Sequence, residues 1–537
     1  MKDSTLKILL VEHPRTVSAE RCNDIANTPL SSCLHSGYVA GMLQSKGHEV
    51  EIVEGFLDRL SYRELDNRIS AFKPDLLGVH MVYHWQNDSA LFAFLEQVKA
   101  KKCASYITVY GFYPTMAAED ILGKCQAVDS VILGEPEFTF AELAAAVSGG
   151  VNQAEKSSDA LINPERIPGL ALRDESGKIV SRRRELAENL DEFPFPVRTE
   201  AMLRMAEVNL LGSRGCYGGC TFCYINPFYG QGSRWRARSP ENIVAEIDSI
   251  IAATGKRDFY FTDPNFFGPG PRGQERALRL ASLLKSRNIR FGIEARVNDI
   301  HEETVAALVE AGLRDILIGL ESGRDESLQR LNKMTTVAQN ERAIQILRRH
   351  GIEPNVGFIM FEPDSSLDDV RTNYEFLKRN ELLKNLTITA NVLYHDQILL
   401  KGTPAYQKLK EEGRLQTDPS LSYEGTTSIA DPKVAALAKM MREITNFIFE
   451  YMDGIWSGKL LEPIGAREKY EEANSFLVET FESSLKTLEA GDLLTDQQID
   501  LLVKEAITKI REMLPGSLEI HKKFTIYSSH SRMRLLN

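Results

Sequence analysis

Cysteine, histidine and tryptophan are scarce in this sequence, with 7, 10 and 3 positions among 537 residues. The cysteines stand at positions 22, 33, 103, 125, 216, 220 and 223, and none follows position 223. Cysteines so few and so unevenly spaced exclude a secreted disulfide scaffold. A chain of this length buries enough apolar surface to fold without disulfides, and at about 150 residues per domain it predicts two to four domains.

An excess of positive charge and long apolar runs are also absent. The 64 lysines and arginines are outnumbered by 75 aspartates and glutamates, and the net charge is −11. This balance argues against a protein built to hold nucleic acid phosphates. No stretch of about 20 apolar residues is present that would span a membrane, and the first apolar run, Lys7–Val11, is too short for a signal peptide. We therefore expect a cytoplasmic protein that neither crosses a membrane nor binds nucleic acid.

Residues 1–148 alternate short apolar runs with helical patterns. This alternation is typical of a parallel sheet covered on both faces. Five such β/α units predict a doubly wound, flavodoxin-like α/β domain, whose ligands bind at the carboxyl ends of the strands. The predicted strands are Lys7–Glu12, Val50–Glu54, Leu76–Val82, Tyr106–Tyr110 and Ser130–Leu133.

The rest of the chain divides into three parts. Residues 149–204 are polar and interrupted, and we interpret them as a linker with a small hairpin at Ile167–Arg173 and Lys178–Ser181. Residues 205–405 resume the alternation with six units, which suits a partial (β/α)6 barrel. Residues 406–537 have apolar residues at helical spacing and predict a mainly helical substrate or cap domain. The barrel strands are predicted at Glu207–Leu211, Asp258–Thr262, Arg290–Glu294, Asp315–Leu320, Asn355–Met360 and Leu386–Leu393, and the long helices at Lys433–Met452, Ala466–Leu488 and Thr495–Met513.

Three of the cysteines directly follow the first predicted barrel strand, in the pattern Cys216-x-x-x-Cys220-x-x-Cys223. Three thiolates on one short, glycine-rich loop hold three corners of a metal centre. A structural zinc would need a fourth Cys or His nearby, whereas three ligands suit a [4Fe–4S] cluster with one iron open to an exogenous ligand. The alternatives are a zinc site with a distant fourth ligand and three reduced cysteines that only pack in a core.

Residues 213–224, which read SRGCYGGCTFCY, resemble the signature of the radical S-adenosylmethionine (SAM) superfamily. The resemblance covers about residues 205–405. It implies that Cys216, Cys220 and Cys223 are the catalytic ligands of a [4Fe–4S] cluster and that SAM chelates the open iron. It also implies that SAM is bound by residues near the cluster motif and at the ends of later strands. Among these, Arg296 is suited to the carboxylate of SAM. The implied SAM-binding residues are Phe222, Tyr224, Asp263, Glu294, Arg296, Gly319, Glu321, Ser322 and Phe358.

A doubly wound domain ahead of such a barrel resembles the cobalamin-binding subclass of this superfamily. Residues 111–115 and 134–140 are similar to the corrin-contacting loops of that subclass, although Phe112 and Tyr113 replace a glycine and a histidine of its pattern. The Asp-x-His-x-x-Gly motif that supplies a lower axial histidine elsewhere is absent, so we expect the tail base of cobalamin to be displaced without a protein histidine replacing it. The alternative is a domain that binds nothing. The implied cobalamin-binding residues are His13, Val82, Tyr83, His84, Gly111, Phe112, Pro114, Thr115, Gly134, Glu135 and Glu137.

Together these resemblances imply a cobalamin-dependent radical SAM methyltransferase that works at low oxygen. It would transfer a methyl group from methylcobalamin to an unactivated carbon, or a phosphinate phosphorus, of a small-molecule substrate. An external donor such as flavodoxin or ferredoxin would supply electrons. One alternative is an oxidoreductase or ring-forming enzyme like the anaerobic porphyrin-ring cyclase, without net methyl transfer; another is a non-catalytic cobalamin or redox sensor. A methylthiotransferase is disfavoured, because the four remaining cysteines are too scattered for a second cluster.

Overall fold

The computed structural model describes residues 5–14, 33–82, 89–151, 162–230, 235–417, 424–456, 460–461, 465–491, 493–515 and 518–519. Within these ranges, none of the helices is both long enough and apolar enough to cross a membrane.

The amino-terminal region is a doubly wound α/β sheet, as predicted. Its elements are β1 (Lys7–Glu12), α1 (Cys33–Ser45), β2 (Glu49–Glu54), α2 (Tyr62–Phe72), β3 (Leu76–His80), α3 (Ser89–Ala100), β4 (Tyr106–Tyr110), α4 (Phe112–Lys124), β5 (Ser130–Ile132), α5 (Glu137–Val151), β6 (Leu170–Arg173) and β7 (Ile179–Arg182). The sheet order is β2-β1-β3-β4-β5-β6-β7, and the first five strands run parallel. Because successive side chains of a strand point to opposite faces, Leu9 and Val11 enter one core and Ile8 and Leu10 the other. Helices therefore cover both faces.

The hairpin expected in the linker pairs with this sheet. Strands β6 and β7 are antiparallel to each other, and β6 is antiparallel to β5 with Ala171 opposite Val131. The segment therefore extends the first sheet by two strands before the chain enters the barrel.

The second region is a partial barrel of parallel strands in the order β14-β13-β12-β11-β8, and a separate two-residue ladder pairs β9 with β10. Five of the six predicted barrel strands form. The elements are α6 (Glu200–Leu203), β8 (Val208–Leu210), β9 (Ser213–Arg214), α7 (Ile225–Tyr229), β10 (Arg236–Ala237), α8 (Pro240–Thr254), β11 (Asp258–Phe261), α9 (Gly270–Leu284), β12 (Arg290–Arg296), α10 (Glu302–Ala311), β13 (Leu313–Glu321), α11 (Asp325–Arg330), α12 (Val337–Arg349), β14 (Asn355–Phe358), α13 (Leu367–Arg379) and α14 (Leu386–Tyr394).

The sixth predicted strand, Leu386–Leu393, is wrong, because this segment is helix α14. The Asn385 side chain accepts hydrogen bonds from the first backbone N–H groups of the helix, and all its residues except Asn391 are buried. A segment buried on every side shows neither helical nor strand periodicity, and its apolar, β-branched composition favoured a strand. The chain becomes extended only afterwards, where Phe361 forms a parallel bridge with Asp396.

The carboxyl-terminal region is mainly helical, and its three long helices lie where the sequence predicts them. The elements are β15 (Leu399–Leu400), α15 (Pro404–Glu411), β16 (Gln416–Thr417), β17 (Glu424–Thr426), α16 (Pro432–Trp456), β18 (Leu460–Leu461), α17 (Ala466–Ala490), α18 (Asp496–Met513) and β19 (Leu518–Glu519). Helices α16 and α17 pack on α13 and α14 of the barrel. Tyr374 of α13 stacks on Phe481 of α17, with ring centroids 5.2 Å apart, and its hydroxyl donates to Glu482.

Candidate functional site

The three motif cysteines lie on residues 215–224, here called the cysteine loop, between β9 and α7. Gly215 begins the loop with φ +78°, a left-handed conformation that glycine adopts without strain. Loops at the carboxyl ends of the barrel strands hold it, since Asn332 Nδ2 donates to the Gly219 carbonyl at 2.7 Å and the Tyr217 hydroxyl donates to Asp299 Oδ1 at 2.7 Å. The barrel therefore presents the loop at its strand ends.

The three thiols of the cysteine loop lie close enough to interact electrostatically. Cys220 is buried, Cys216 and Cys223 are half-buried, and all three are free. Burial, with smaller contributions from Cys220 and Cys216, raises the pKa of the Cys223 thiol to about 12. Without a bound cation the thiol state is favoured, whereas iron would favour thiolates. Within the described ranges, no three histidine, cysteine, aspartate or glutamate side chains are grouped to hold a single ion.

Arg296, which the sequence assigns to a SAM carboxylate, lies against the cysteine loop. Its Nη1 donates to Cys220 Sγ at 3.4 Å, and its guanidinium lies 5.3 Å from the Tyr217 ring centre. Gly218 is required here, because a Cβ at that position would overlap the guanidinium. The Nε of Arg296 is buried and has no hydrogen-bond partner among the described residues. A buried, unsatisfied donor beside three thiols is suited to an anionic ligand.

Lys333 belongs to the same cluster of charges, although sequence reasoning missed it. Its Nζ donates to Glu321 Oε1 at 2.7 Å, and its backbone carbonyl accepts from Arg296. Burial alone would lower the pKa of Lys333, but the neighbouring Glu321 and Cys220 outweigh it and the pKa is raised. Gly319 leaves room for this pair, since a Cβ there would overlap both charged groups. A lysine is rarely buried unless paired, but the sequence around Lys333 does not signal burial.

Asp263 holds the start of the cysteine loop in place. Its Oδ1 accepts the Gly212 N–H at 2.7 Å and its Oδ2 accepts the Ser213 hydroxyl at 2.7 Å. Burial raises the pKa of Asp263 to about 6, against the opposing charge of Arg276. The described contacts therefore give Asp263 a supporting position next to the loop, and its contact with SAM stays a prediction.

The remaining SAM candidates line the same end of the barrel. The Ser322 hydroxyl donates to Asn373 Oδ1 at 2.8 Å, and Phe358 stacks on Phe376 with ring centroids 6.1 Å apart. Phe222 is half-buried on the cysteine loop, whereas Tyr224 is buried.

Glu294 is a buried carboxyl group that faces another strand of the barrel. Its Oε1 accepts the Tyr260 hydroxyl at 3.3 Å. Burial raises the pKa of Glu294 from 4.5 to about 8, partly offset by this hydrogen bond. The group is therefore mainly protonated near neutral pH and is available as a hydrogen-bond donor in the barrel.

This raised pKa predicts a pH-dependent stability. Because its pKa is higher in the folded chain than in the unfolded chain, Glu294 contributes stability that is fully present below pH 4.5 and lost as the pH rises to about 8. The loss reaches at most about 1.4 kcal/mol per pH unit. We expect Glu294→Gln to remove this slope from denaturant unfolding of the cofactor-free protein between these pH values. The exposed control Glu310→Gln should keep it, and an unchanged slope in Glu294→Gln would contradict the assignment.

The predicted cobalamin-binding residues come together at the carboxyl edge of the first sheet, except that Tyr83 and His84 lie outside the described residues. His13 and Val82 are buried at the ends of β1 and β3. Thr115 ties two strand ends together, because its hydroxyl donates to the Gly111 carbonyl at 2.8 Å and accepts the Gly134 N–H at 3.0 Å. Residues 112–115, including Pro114, form the first turn of α4.

This edge faces the cysteine loop directly. The Phe112 ring centre lies 4.8 Å from that of Tyr224, and 4.4 Å from that of Phe228 in α7. All three rings are buried. The two candidate sites are therefore neighbours, with an aromatic layer between them.

Behind Phe112 lies a buried polar network that sequence reasoning only partly anticipated. His80 Nδ1 is 2.8 Å from Glu12 Oε1, which also accepts the Ser36 hydroxyl at 2.7 Å. His35 Nδ1 and His80 Nε2 are buried without a hydrogen-bond partner among the described residues. Burial, together with His80 and Arg214, lowers the pKa of His35 to about 3, so the ring is neutral at physiological pH.

Glu135 and Glu137 also reach across to the barrel. Arg214, two residues before Cys216, pairs with Glu135 at 3.0 Å and with Glu137 at 2.6 Å. Arg236 pairs with Glu135 at 2.8 Å. The four side chains form a buried ion cluster between the first sheet and the root of the cysteine loop.

The second region of the chain is similar in sequence to a known protein family and to individual enzymes. Residues 210–377 match the family model of the radical SAM superfamily. An uncharacterized methyltransferase of Pyrococcus horikoshii is 26% identical over 391 residues, which are 70% of this chain and 79% of that protein. The anaerobic magnesium-protoporphyrin IX monomethyl ester cyclase of Rubrivivax gelatinosus is 25% identical over 358 residues, which are 64% of this chain and 61% of the cyclase.

Solved structures of two enzymes share the fold over most of this chain. The cobalamin-dependent SAM radical enzyme OxsB, with aqua-cobalamin and SAM bound, has a TM-score of 0.74 at 19% identity and covers 95% of this chain and 80% of its own. The radical SAM methyltransferase TsrM from Kitasatospora setae, with cobalamin and a [4Fe–4S] cluster bound, has a TM-score of 0.62 at 16% identity. This match covers 91% of the present chain and 99% of the TsrM chain. These similarities confirm the predicted fold class.

Proposed function

We propose that this chain, whose residues 210–377 match the radical SAM family model, is a cobalamin-dependent radical SAM methyltransferase. It would act on an unactivated carbon, or a phosphinate phosphorus, of a small-molecule substrate. The observation that supports the proposal best is the direct apposition of the two candidate sites, with Phe112 packed 4.8 Å from Tyr224. A reaction that uses two cofactors in turn needs them on either side of one closed space.

The described residues fit the three groups that this function requires. Three free thiols on the cysteine loop suit a [4Fe–4S] cluster, and the unsatisfied Nε of Arg296 suits the carboxylate of SAM. At the edge of the first sheet, Gly111 has φ +120°, and a Cβ there would lie 2.9 Å from His80 Nε2. Glycine is therefore needed there to pack against His80, and the unpartnered nitrogens of His35 and His80 suit a polar group of a ligand such as cobalamin.

When bound, the cluster with SAM supplies hydrogen-atom abstraction, and cobalamin supplies the methyl group. The residues of the chain itself bind these groups and orient them. Cys216, Cys220 and Cys223 hold the cluster, and Arg296 balances its negative charge through Cys220. The buried aromatic layer keeps water away from the space between the sites. An external low-potential donor such as flavodoxin or ferredoxin supplies the electrons in this proposal.

A second candidate is an oxidoreductase or ring-forming enzyme without net methyl transfer. The similarity to the cyclase of Rubrivivax gelatinosus favours it. The two functions differ in the destination of the SAM methyl group, so labelled SAM distinguishes them.

The test uses the full chain, reconstituted anaerobically with iron, sulfide and hydroxocobalamin and reduced in the presence of methyl-labelled SAM. We expect retained cobalamin, formation of 5′-deoxyadenosine and label on cobalamin. A protein that never retains cobalamin would exclude both the methyltransferase and the cobalamin-sensor alternative. Cleavage of SAM without label on cobalamin would favour the second candidate, and a loaded protein that leaves SAM intact would favour the sensor.

A further inference from the structure

Two arginines bracket the cysteine loop. Strands β9 and β10 are antiparallel, and their ladder places Arg236 opposite Arg214. The cysteine loop and α7 lie between these strands in sequence. The two arginines therefore lie at the two ends of the chain segment that carries the three thiols.

Both arginines donate hydrogen bonds to carboxylates at the carboxyl edge of the first sheet. Arg214 Nη2 donates to Glu137 Oε1 at 2.6 Å and its Nη1 to Glu135 Oε1 at 3.0 Å. Arg236 donates to both oxygens of Glu135, at 2.8 and 3.0 Å. Glu135 follows β5 and Glu137 begins α5. Because a guanidinium group is planar and can donate two parallel hydrogen bonds, it fixes the orientation of a carboxylate as well as its distance.

The surroundings allow these four groups little freedom. The Arg214 guanidinium lies 4.4 Å from the ring centre of Phe193 and 5.1 Å from that of Tyr38. The Arg236 guanidinium lies 5.6 Å from the ring centre of Tyr229. All four charged side chains are at most 9% exposed. Burial alone would raise the pKa of Glu135, but the two arginines outweigh it and hold the pKa below its ordinary value.

A buried ion cluster contributes little net stability compared with apolar residues of similar size, so stability alone does not account for these four side chains. We infer that Arg214, Arg236, Glu135 and Glu137 form an ion staple that sets the distance and orientation between the iron–sulfur cluster and cobalamin. The inference rests on the proposed function. The two arginines are positioning residues, and neither is needed to load either cofactor.

The experiment measures the geometry between the cofactors in the full, loaded chain. Electron paramagnetic resonance of the reduced cluster together with cob(II)alamin reports their spin–spin coupling, which falls with the cube of their separation. We expect Arg214→Lys and Arg236→Lys to retain both individual signals but to lose the defined splitting of the wild-type protein. Glu142→Gln, which removes a more exposed carboxylate of α5 that pairs with Arg184, should keep the wild-type splitting.

Three outcomes would overturn the inference. The first is wild-type splitting in both fully loaded variants, and the second is loss of either cofactor, which would make the staple part of a binding site. If Arg214→Lys does not fold, the first outcome is judged on Arg236→Lys alone, because that milder variant keeps the Arg214–Glu137 pair. The third is a wild-type chain with no cob(II)alamin signal, which fails the proposed function itself, so the inference falls with it.

Discussion

Cys216→Ala is expected to bind no intact [4Fe–4S] cluster and to form no 5′-deoxyadenosine from SAM. Cys216 is one of three thiols on a loop that the barrel holds at fixed points. Of the free cysteines that the structure describes outside the loop, Cys103 follows α3 and Cys125 follows α4, so neither belongs to the cysteine loop. Losing one of three protein ligands therefore removes the site for the cluster. The measurements are the visible absorbance after anaerobic reconstitution and chromatography of the SAM products.

The matched control is Cys103→Ala. Cys103 is a half-buried free cysteine that lies between α3 and β4, at the amino-terminal edge of the first sheet. This variant should retain the absorbance and the SAM cleavage of the wild-type protein. The free energy of unfolding of each cofactor-free variant should change by only about 1 kcal/mol, because a single half-buried thiol makes few contacts. A Cys216→Ala protein that still holds an intact cluster and cleaves SAM would contradict the ligand assignment.

The residues that sequence analysis placed correctly share a local signal. Cys216, Cys220 and Cys223 lie on one loop because their spacing and their position after a strand determine it. The parallel strands were predictable because runs such as Leu76–His80 are buried throughout. Helix α14 was not predictable, since Leu386–Tyr394 is buried on nearly every side and its periodicity carries no information.

Contacts between distant segments were beyond sequence reasoning. Glu135 and Glu137 were placed correctly at a strand end, but their pairing with Arg214 joins residues 79 and 77 positions apart. Lys333 follows the short helix α11, and nothing local distinguishes it from a surface lysine. Its burial results from the closure of the barrel strands around Glu321. Such contacts follow from tertiary packing, whereas single-sequence patterns report local structure.

The ion pair between Lys333 and Glu321 predicts a large loss of stability. We expect Lys333→Met to lower the free energy of unfolding of the cofactor-free protein by about 3–5 kcal/mol, because it leaves a buried carboxylate without its cation. The two side chains are 6% and 10% exposed and their charged atoms lie 2.7 Å apart. Denaturant unfolding measures the change. Lys285→Met, which breaks a pair with Glu310 at 65% and 62% exposure, should cost about 1 kcal/mol or less.

A double variant separates stability from chemistry at this pair. Replacing both members of a buried ion pair is often near neutral, so Glu321→Met with Lys333→Met should recover most of the lost stability. The recovered protein would still lack the ammonium beside Cys220 and the carboxylate at the end of β13. Outer partners of metal ligands typically affect metal binding or activity by about 10- to 100-fold, and we expect SAM cleavage by the double variant to fall in that range. Wild-type SAM cleavage by a stable double variant would show that the pair only contributes to packing. Failure to recover stability would show that other groups around Arg296 also depend on the pair.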